Sequence, residues 1–153
     1  MVPTINNHKA RRDYFIGDEF EAGLELKGTE VKSLRAAQAS IEEAFARVEN
    51  NQVWLYNAHI QPYAFGNRFN VDPLRPRRLL LHKSEIKRLS AQLITKGMAI
   101  VPLRIFFNAK GYAKVIIGVG KGKSQVDKRE TIKRKEADRE VSRAIADKMK
   151  NRG

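Results

Sequence analysis

The chain is 153 residues long and carries 30 Lys and Arg against 17 Asp and Glu, a net charge of +13 at pH 7. That length suits one compact domain with an appendage, and the charge points to a polyanionic partner such as RNA, DNA or an anionic surface. The absence of Cys removes disulfides, zinc–thiolate centres and thiol nucleophiles together and suits a cytoplasmic setting. Residues 1–12 are polar and basic and read as a flexible leader with no apolar signal core. From Phe20 onward, apolar Ala22, Leu24 and Leu26 alternate with Glu21 and Glu25, the period of a half-buried strand. Gly17 and Gly23 are positions for a bulge or bend. Thr29 is placed to N-cap a helix over residues 30–39. Two alternating runs, residues 44–48 and 53–58, flank Asn50-Asn51. Asparagine tolerates positive φ, so this reads as a hairpin.

Residues 61–78 hold three prolines, Gly66 and four arginines and read as loop. A helix follows from Ser84, with Ile86, Leu89, Leu93 and Ile94 on one face and Gly97 as its stop. Residues 98–107 and 112–119 are β-rich and joined by Asn108-Ala109-Lys110-Gly111, a second hairpin. The longest apolar run, residues 98–103, is far short of the roughly 20 needed to span a membrane. Five or six short antiparallel strands with two helices favour a mainly β fold. The expected architecture is a small antiparallel OB-like barrel with flanking helices, rather than a two-sheet sandwich.

Composition changes near Gly120. The last 33 residues have no Phe, Tyr, Trp or Pro, and 12 Lys and Arg against 6 Asp and Glu, a net +6. Such a segment has too little apolar surface to hold itself folded and orders on a partner. Val141, Ile145 and Met149 fall four apart and would form one helical stripe. The expected organisation is therefore a leader over 1–12, an RNA-binding barrel over 13–120 and a basic tail, disordered when free, over 121–153.

Gly118-Val-Gly-Lys-Gly-Lys-Ser124 resembles a phosphate-binding loop, but the spacing fails. A Walker A motif needs glycine at the position of Ile117. No later strand ends in an Asp that would hold magnesium. A flexible Gly-Lys hinge between barrel and tail is the plainer reading. His8, His59 and His82 have no metal-ligand spacing, and no cofactor or metal is implied. No nucleophile elbow is present. The basic clusters carry more information: Lys9, Arg11 and Arg12; Lys27, Lys32 and Arg35; Arg75, Arg77 and Arg78; Lys110 and Lys114. From them Lys9, Arg11, Lys32, Arg35 and Arg77 are taken as candidate RNA contacts, through phosphate. Tyr14, Trp54, Tyr56, Tyr63 and Phe65 are candidate stacking residues. Those at strand positions are expected in the core, and Tyr63 and Phe65 on the surface. At this level a ribosomal or assembly protein with a basic tail remains an alternative to an RNA adaptor, and a nucleotidase or nuclease is the third option.

Several stretches together resemble one family. They include Asp13-Tyr14-Phe15-Ile16, Phe20-Glu21-Ala22-Gly23-Leu24 and Gly28-Thr29-Glu30-Val31-Lys32-Ser33-Leu34-Arg35. Further on come Asp72-Pro73-x-Arg75-x-Arg77-x-Leu79-Leu80-Leu81, Lys114-Val115-x-Ile117-Gly118-x-Gly120-Lys121-Gly122-Lys123 and Asp127-Lys128-Arg129. The chain resembles the small protein B family, the tmRNA-binding (SsrA-binding) proteins of bacterial trans-translation. The resemblance implies an oligonucleotide-binding-type barrel with no catalytic role, which holds the tRNA-like domain of tmRNA. It implies a complex with elongation factor Tu and alanyl-tmRNA that enters stalled ribosomes. The tail would act against ribosomal RNA in the vacant decoding centre and mRNA channel. By position, Glu21, Leu81 and Lys114 match family residues implicated in tmRNA binding. Lys121, Gly122, Lys123, Asp127, Lys128 and Arg129 match the ribosome-acting start of the tail, and Ile145 an apolar tail position. Val126 and Ser124 depart from the family's frequent residues there.

Overall fold

The computed structural model describes residues 3–63 and 71–124, together with Arg129. In chain order its elements are β1 (Ile5–Asn6), α1 (Ala10–Asp13), β2 (Tyr14–Leu24) and α2 (Gly28–Arg35). Then come β3 (Ala39–Ser40), β4 (Phe45–Glu49), β5 (Gln52–Tyr56), β6 (His59–Ile60) and β7 (Arg77–Leu80). The last three are α3 (Lys83–Leu93), β8 (Met98–Phe107) and β9 (Ala113–Gly122). All pairings among them are antiparallel. The order β8-β4-β5-β7-β2-β9 closes when β9 pairs back onto β8. The result is a six-stranded OB-like ring with no free edge among those strands. β1 extends the edge of β8 beyond the point where β4 leaves it.

Alternation sorts each strand into an inner and an outer set. Phe20, Ala22 and Leu24 of β2, Val53 and Leu55 of β5, Leu79 of β7 and Val115, Ile117 and Val119 of β9 are buried in one core. Leu34 of α2 and Leu89 of α3 join it. Closure needs irregularity at two places. β2 carries one extra residue between Ile16 and Glu19, around Gly17, and β8 carries one between Pro102 and Arg104. The second bulge resets parity, so Ile100 and Ile105 both point inward although they lie five apart.

Both expected hairpins are present. Asn50 and Asn51 take φ of 50° and 61° between paired Glu49 and Gln52, the backbone of a tight hairpin turn. At the second, the Asn108 side-chain oxygen accepts from the Lys110 and Tyr112 amides, and Gly111 has φ +85°. Other expectations change. The leader is not loose: Ile5 pairs with Ile105, and Ala10 is buried against Val101 and Leu103. α2 begins after Lys27, not Thr29, because the Glu30 carboxylate accepts the Lys27 amide at 2.9 Å. It stops at Arg35 because Ala37 takes φ 59°, which an α-helix cannot continue through. The Gly-Lys hinge is in fact strand: Gly120, Lys121 and Gly122 pair with Ile16, Phe15 and Tyr14. The chain divides into two compact units, Met1–Gly122 and Lys123–Gly153. No helix among the described residues is long and apolar enough to cross a membrane.

Candidate nucleic-acid interface

The outer face of β7, β2 and β9 carries a groove of about 370 Å³. Its floor is Gly23, which pairs with Lys114 of β9 on one side and Leu80 of β7 on the other. A Cβ there would sit 3.2 Å from the Leu80 Cβ, so glycine lets Leu80 lie across the strand. Glu21, two residues before Gly23, shares its face. Leu80 is 47 % exposed. Leu81 continues the wall into the start of α3 and packs partly against the core. Glu21, Leu81 and Lys114, matched one by one in the sequence, therefore meet in one groove. Neither Glu21 nor Lys114 makes an ion pair among the described residues. A strand-face salt bridge is thus not what Glu21 is for. Its carboxylate stays an acceptor and the Lys114 ammonium stays a donor.

The arginine chosen from the 75–78 cluster requires correction. Arg77 is fully buried, whereas its neighbour Arg78 points out and lines the groove. β7 begins at Arg77, so parity places 77 and 79 inside and 78 and 80 outside. The Arg77 guanidinium donates through Nε to Glu30 at 2.6 Å, through Nη1 to the Ala58 carbonyl at 2.6 Å and through Nη2 to the Pro73 carbonyl at 3.0 Å. All three of its nitrogens are engaged inside the protein and none is exposed, so it cannot reach RNA. Arg75 donates to the other oxygen of Glu30, also at 2.6 Å. Burial works to raise the Glu30 pKa, but hydrogen bonds from Arg75, the Lys27 amide and Arg77 outweigh it and hold the carboxyl below its ordinary value. Burial lowers the Arg77 pKa, and Glu30 opposes the change. This is a structural ion-pair network tying α2 to β7.

Other candidates are also engaged within the molecule. Lys9 reaches Glu43 at 2.9 Å, and that hydrogen bond raises its pKa. Arg11 reaches Glu19 at 2.7 Å. The Lys32 ammonium lies 5.4 Å from the Tyr63 ring centroid, and the Arg35 guanidinium 5.5 Å from that of Phe107. None of the four lines the groove. A larger cavity of about 590 Å³, lined by Lys9 and Arg47 but also by Asp13, Glu42 and Glu43, has the wrong balance of charge for a polyanion.

Among the aromatics, parity again decides. Trp54 and Tyr56 face outward from β5, since Val53 and Leu55 take the core positions. Tyr56 stacks on Phe45 with centroids 5.6 Å apart, and Arg47 lies over both rings. Tyr14 packs against the small cluster of Ala10, Val101 and Leu103. Lys121 and Gly122 form the end of β9, exposed, followed by Lys123. Phe65, Asp127, Lys128 and Ile145 lie outside the described residues, as does the stripe of Val141 and Met149. Gly23 and Arg78 were missed as groove residues. Strand parity, once the start of β7 is known, would have found the second.

A family model described as SmpB protein matches residues 4–147. The chain is 54 % identical over 144 residues to the SsrA-binding protein of Shouchella clausii (strain KSM-K16), covering 94 % of this chain and 92 % of that protein. Identity to the SsrA-binding protein of Desulforudis audaxviator (strain MP104C) is 54 % over 142 residues, with 93 % and 92 % covered. Among solved structures it resembles a chain from one described as "tmRNA-SmpB: a journey to the center of the bacterial ribosome". The TM-score is 0.69 at 47 % identity, covering 85 % of this chain and 94 % of that one.

Proposed function

Because the chain belongs to the SmpB protein family, we propose that it is an RNA-binding adaptor of trans-translation, with no reaction of its own. It holds the tRNA-like domain of tmRNA and carries it to stalled ribosomes, acting in the cytoplasm where they work. One observation carries the reading. Glu21, Leu81 and Lys114 come from three separate stretches of sequence and line one groove. The groove's chemistry suits RNA more than protein. Lys114 and Arg78 supply cations for phosphate, which gives affinity and salt dependence. Glu21 accepts from base or 2′-hydroxyl donors. Leu80 and Leu81 offer an apolar wall against a base or ribose. The complex includes elongation factor Tu with alanyl-tmRNA. The tail, from Lys123 through Asp127, Lys128 and Arg129 to Ile145, acts on ribosomal RNA in the vacant decoding centre and mRNA channel.

A titration of the full chain against tmRNA, with excess bulk tRNA as competitor and at two salt concentrations, tests this. Binding that survives competition is the expected result. Binding that collapses with tRNA or modest salt is generic electrostatic affinity and would put a ribosomal or assembly role first.

A further inference from the structure

The groove does not end at Leu81. A second hollow of about 400 Å³ adjoins it, lined by Asn51, Lys83, Ile86, Lys87 and Ser90. Asn51 and Ile86 line both hollows, so the two lie side by side at the start of α3. Lys83, Lys87 and Ser90 stand at i, i+4 and i+7, one face of the helix. Side chains at i and i+4 have Cβ atoms about 5–6 Å apart, a separation suited to neighbouring phosphates of one strand. Both lysines are exposed, and neither makes an ion pair among the described residues. The nearest acid on the helix, Glu85, is turned back to accept the His82 amide at 3.1 Å. Arg88 points elsewhere, over the Phe20 ring and toward Asp18. Several cations elsewhere on the barrel are answered by acids: Lys9 by Glu43, Arg11 by Glu19, Arg12 by Asp13, and Arg75 and Arg77 by Glu30. Lys83 and Lys87 instead share with Lys114 the lack of an ion pair among the described residues, and they stand next to the same groove.

We infer that Lys83 and Lys87 form a phosphate track on α3 that extends the RNA footprint beyond the Glu21–Leu81–Lys114 groove and grips backbone rather than bases. The inference rests on the RNA-adaptor reading above. Ser90 closes the track as a neutral donor at its far end. Two ammonium groups held by a helix and unmatched by acid attract any nearby strand, and the adjoining groove makes that strand the next stretch of the same RNA.

The test is the salt dependence of tmRNA affinity for four full-length proteins: wild type, Lys83→Ala/Lys87→Ala, Lys83→Arg/Lys87→Arg, and Lys96→Ala/Arg104→Ala. The last removes the same charge from exposed positions that line neither hollow. Alanine is the best helix former, so α3 survives the first substitution. Each phosphate contact contributes about 0.7–0.9 to the slope of log K against log salt. The α3 variant should therefore lose about 1.4–1.8 units of slope and the control variant almost none, while Lys83→Arg/Lys87→Arg keeps the wild-type slope. An α3 variant whose slope falls no further than the control's would overturn the track and leave the adaptor reading standing. Wild-type protein that does not prefer tmRNA to tRNA would overturn the adaptor reading itself.

Discussion

Glu30 and Lys114 are two charged residues of similar sequence prominence in opposite surroundings, and burial separates them. Glu30 is 3 % exposed and holds two guanidiniums. Glu30→Gln leaves the Arg77 charge buried without a counter-ion, a change that costs about 3–5 kcal/mol in comparable pairs. Urea unfolding of the variant at neutral pH measures it. The pH dependence follows from the depressed carboxyl. Its contribution is complete above the ordinary carboxylate pKa, about 4.3, because both folded and unfolded forms are then ionised. It is lost as pH falls through the lower folded value, where the unfolded chain already binds the proton. Wild-type stability should therefore fall more steeply than that of Glu30→Gln below the ordinary carboxylate pKa. Parallel acid limbs would mean that Glu30 does not ionise this way. Lys114 is different, because nothing in the fold depends on its charge. Lys114→Ala should leave the unfolding midpoint unchanged and lower the salt slope for tmRNA by about 0.7–0.9. An unchanged slope would remove Lys114 from the phosphate contacts. Lys114 is singled out in the sequence by its match to a family motif, and the fold places it in the groove. Arg77 was misread because nothing local distinguishes an inward arginine from an outward one until its strand begins.

At the level of elements, local chemistry was readable and closure was not. Asn50-Asn51 and Asn108–Gly111 announced their hairpins because the turn conformation is encoded in the turn residues themselves. The pairing of β2 with β9 joins residues about a hundred positions apart, Tyr14 with Gly122 at the extreme, and no local pattern carries such a contact. The glycines of β9 illustrate the gap. Their Gly-x-Gly-x-Gly spacing suggests a hinge or a phosphate loop, yet two of them are close-approach positions on the outer side of β9. They are opposite in parity to the core residues Val115, Ile117 and Val119 and lie against the Ala10–Val101–Leu103 cluster and its neighbours Tyr14 and Ile16. A Cβ on Gly118 would lie 2.8 Å from the Ile16 Cγ2, and one on Gly120 would lie 2.9 Å from the Phe15 carbonyl oxygen. Gly122 has nothing within 4 Å. Gly120→Ala meets backbone, which cannot swing aside, so it should destabilise the barrel by about 1–3 kcal/mol, as overpacking does. Gly122→Ala should stay within about 0.5 kcal/mol of wild type. Thermal unfolding of the two variants decides between close packing and the hinge. Equal, small effects would mean that this end of β9 is looser than its pairing indicates.

For the whole molecule, charge and fold divide the chain at slightly different places. Composition changes at Gly120, but pairing continues through Gly122, since Lys121 is held by Phe15 and Met98 and Gly122 by Tyr14. A basic residue is therefore not evidence of the tail, and the useful boundary lies beyond the last ladder pair. Two truncations exploit the difference. A chain ending at Ser124 keeps every pair of β9 and should unfold within about 0.5 kcal/mol of the full protein. A chain ending at Gly120 loses the terminal pairs that fasten β9 to both neighbours and should be the less stable of the two. The same pair of proteins tests the division of labour. The groove lies wholly within the first 124 residues, so the longer truncation should still prefer tmRNA over bulk tRNA, with a shallower salt slope because part of the +13 is gone. It should fail to support tagging in a reconstituted trans-translation reaction, as the proposed action of the tail on the ribosome requires. If it instead loses its preference for tmRNA while remaining folded, recognition is shared with the tail. The groove on β2, β7 and β9 would then be only part of the binding site.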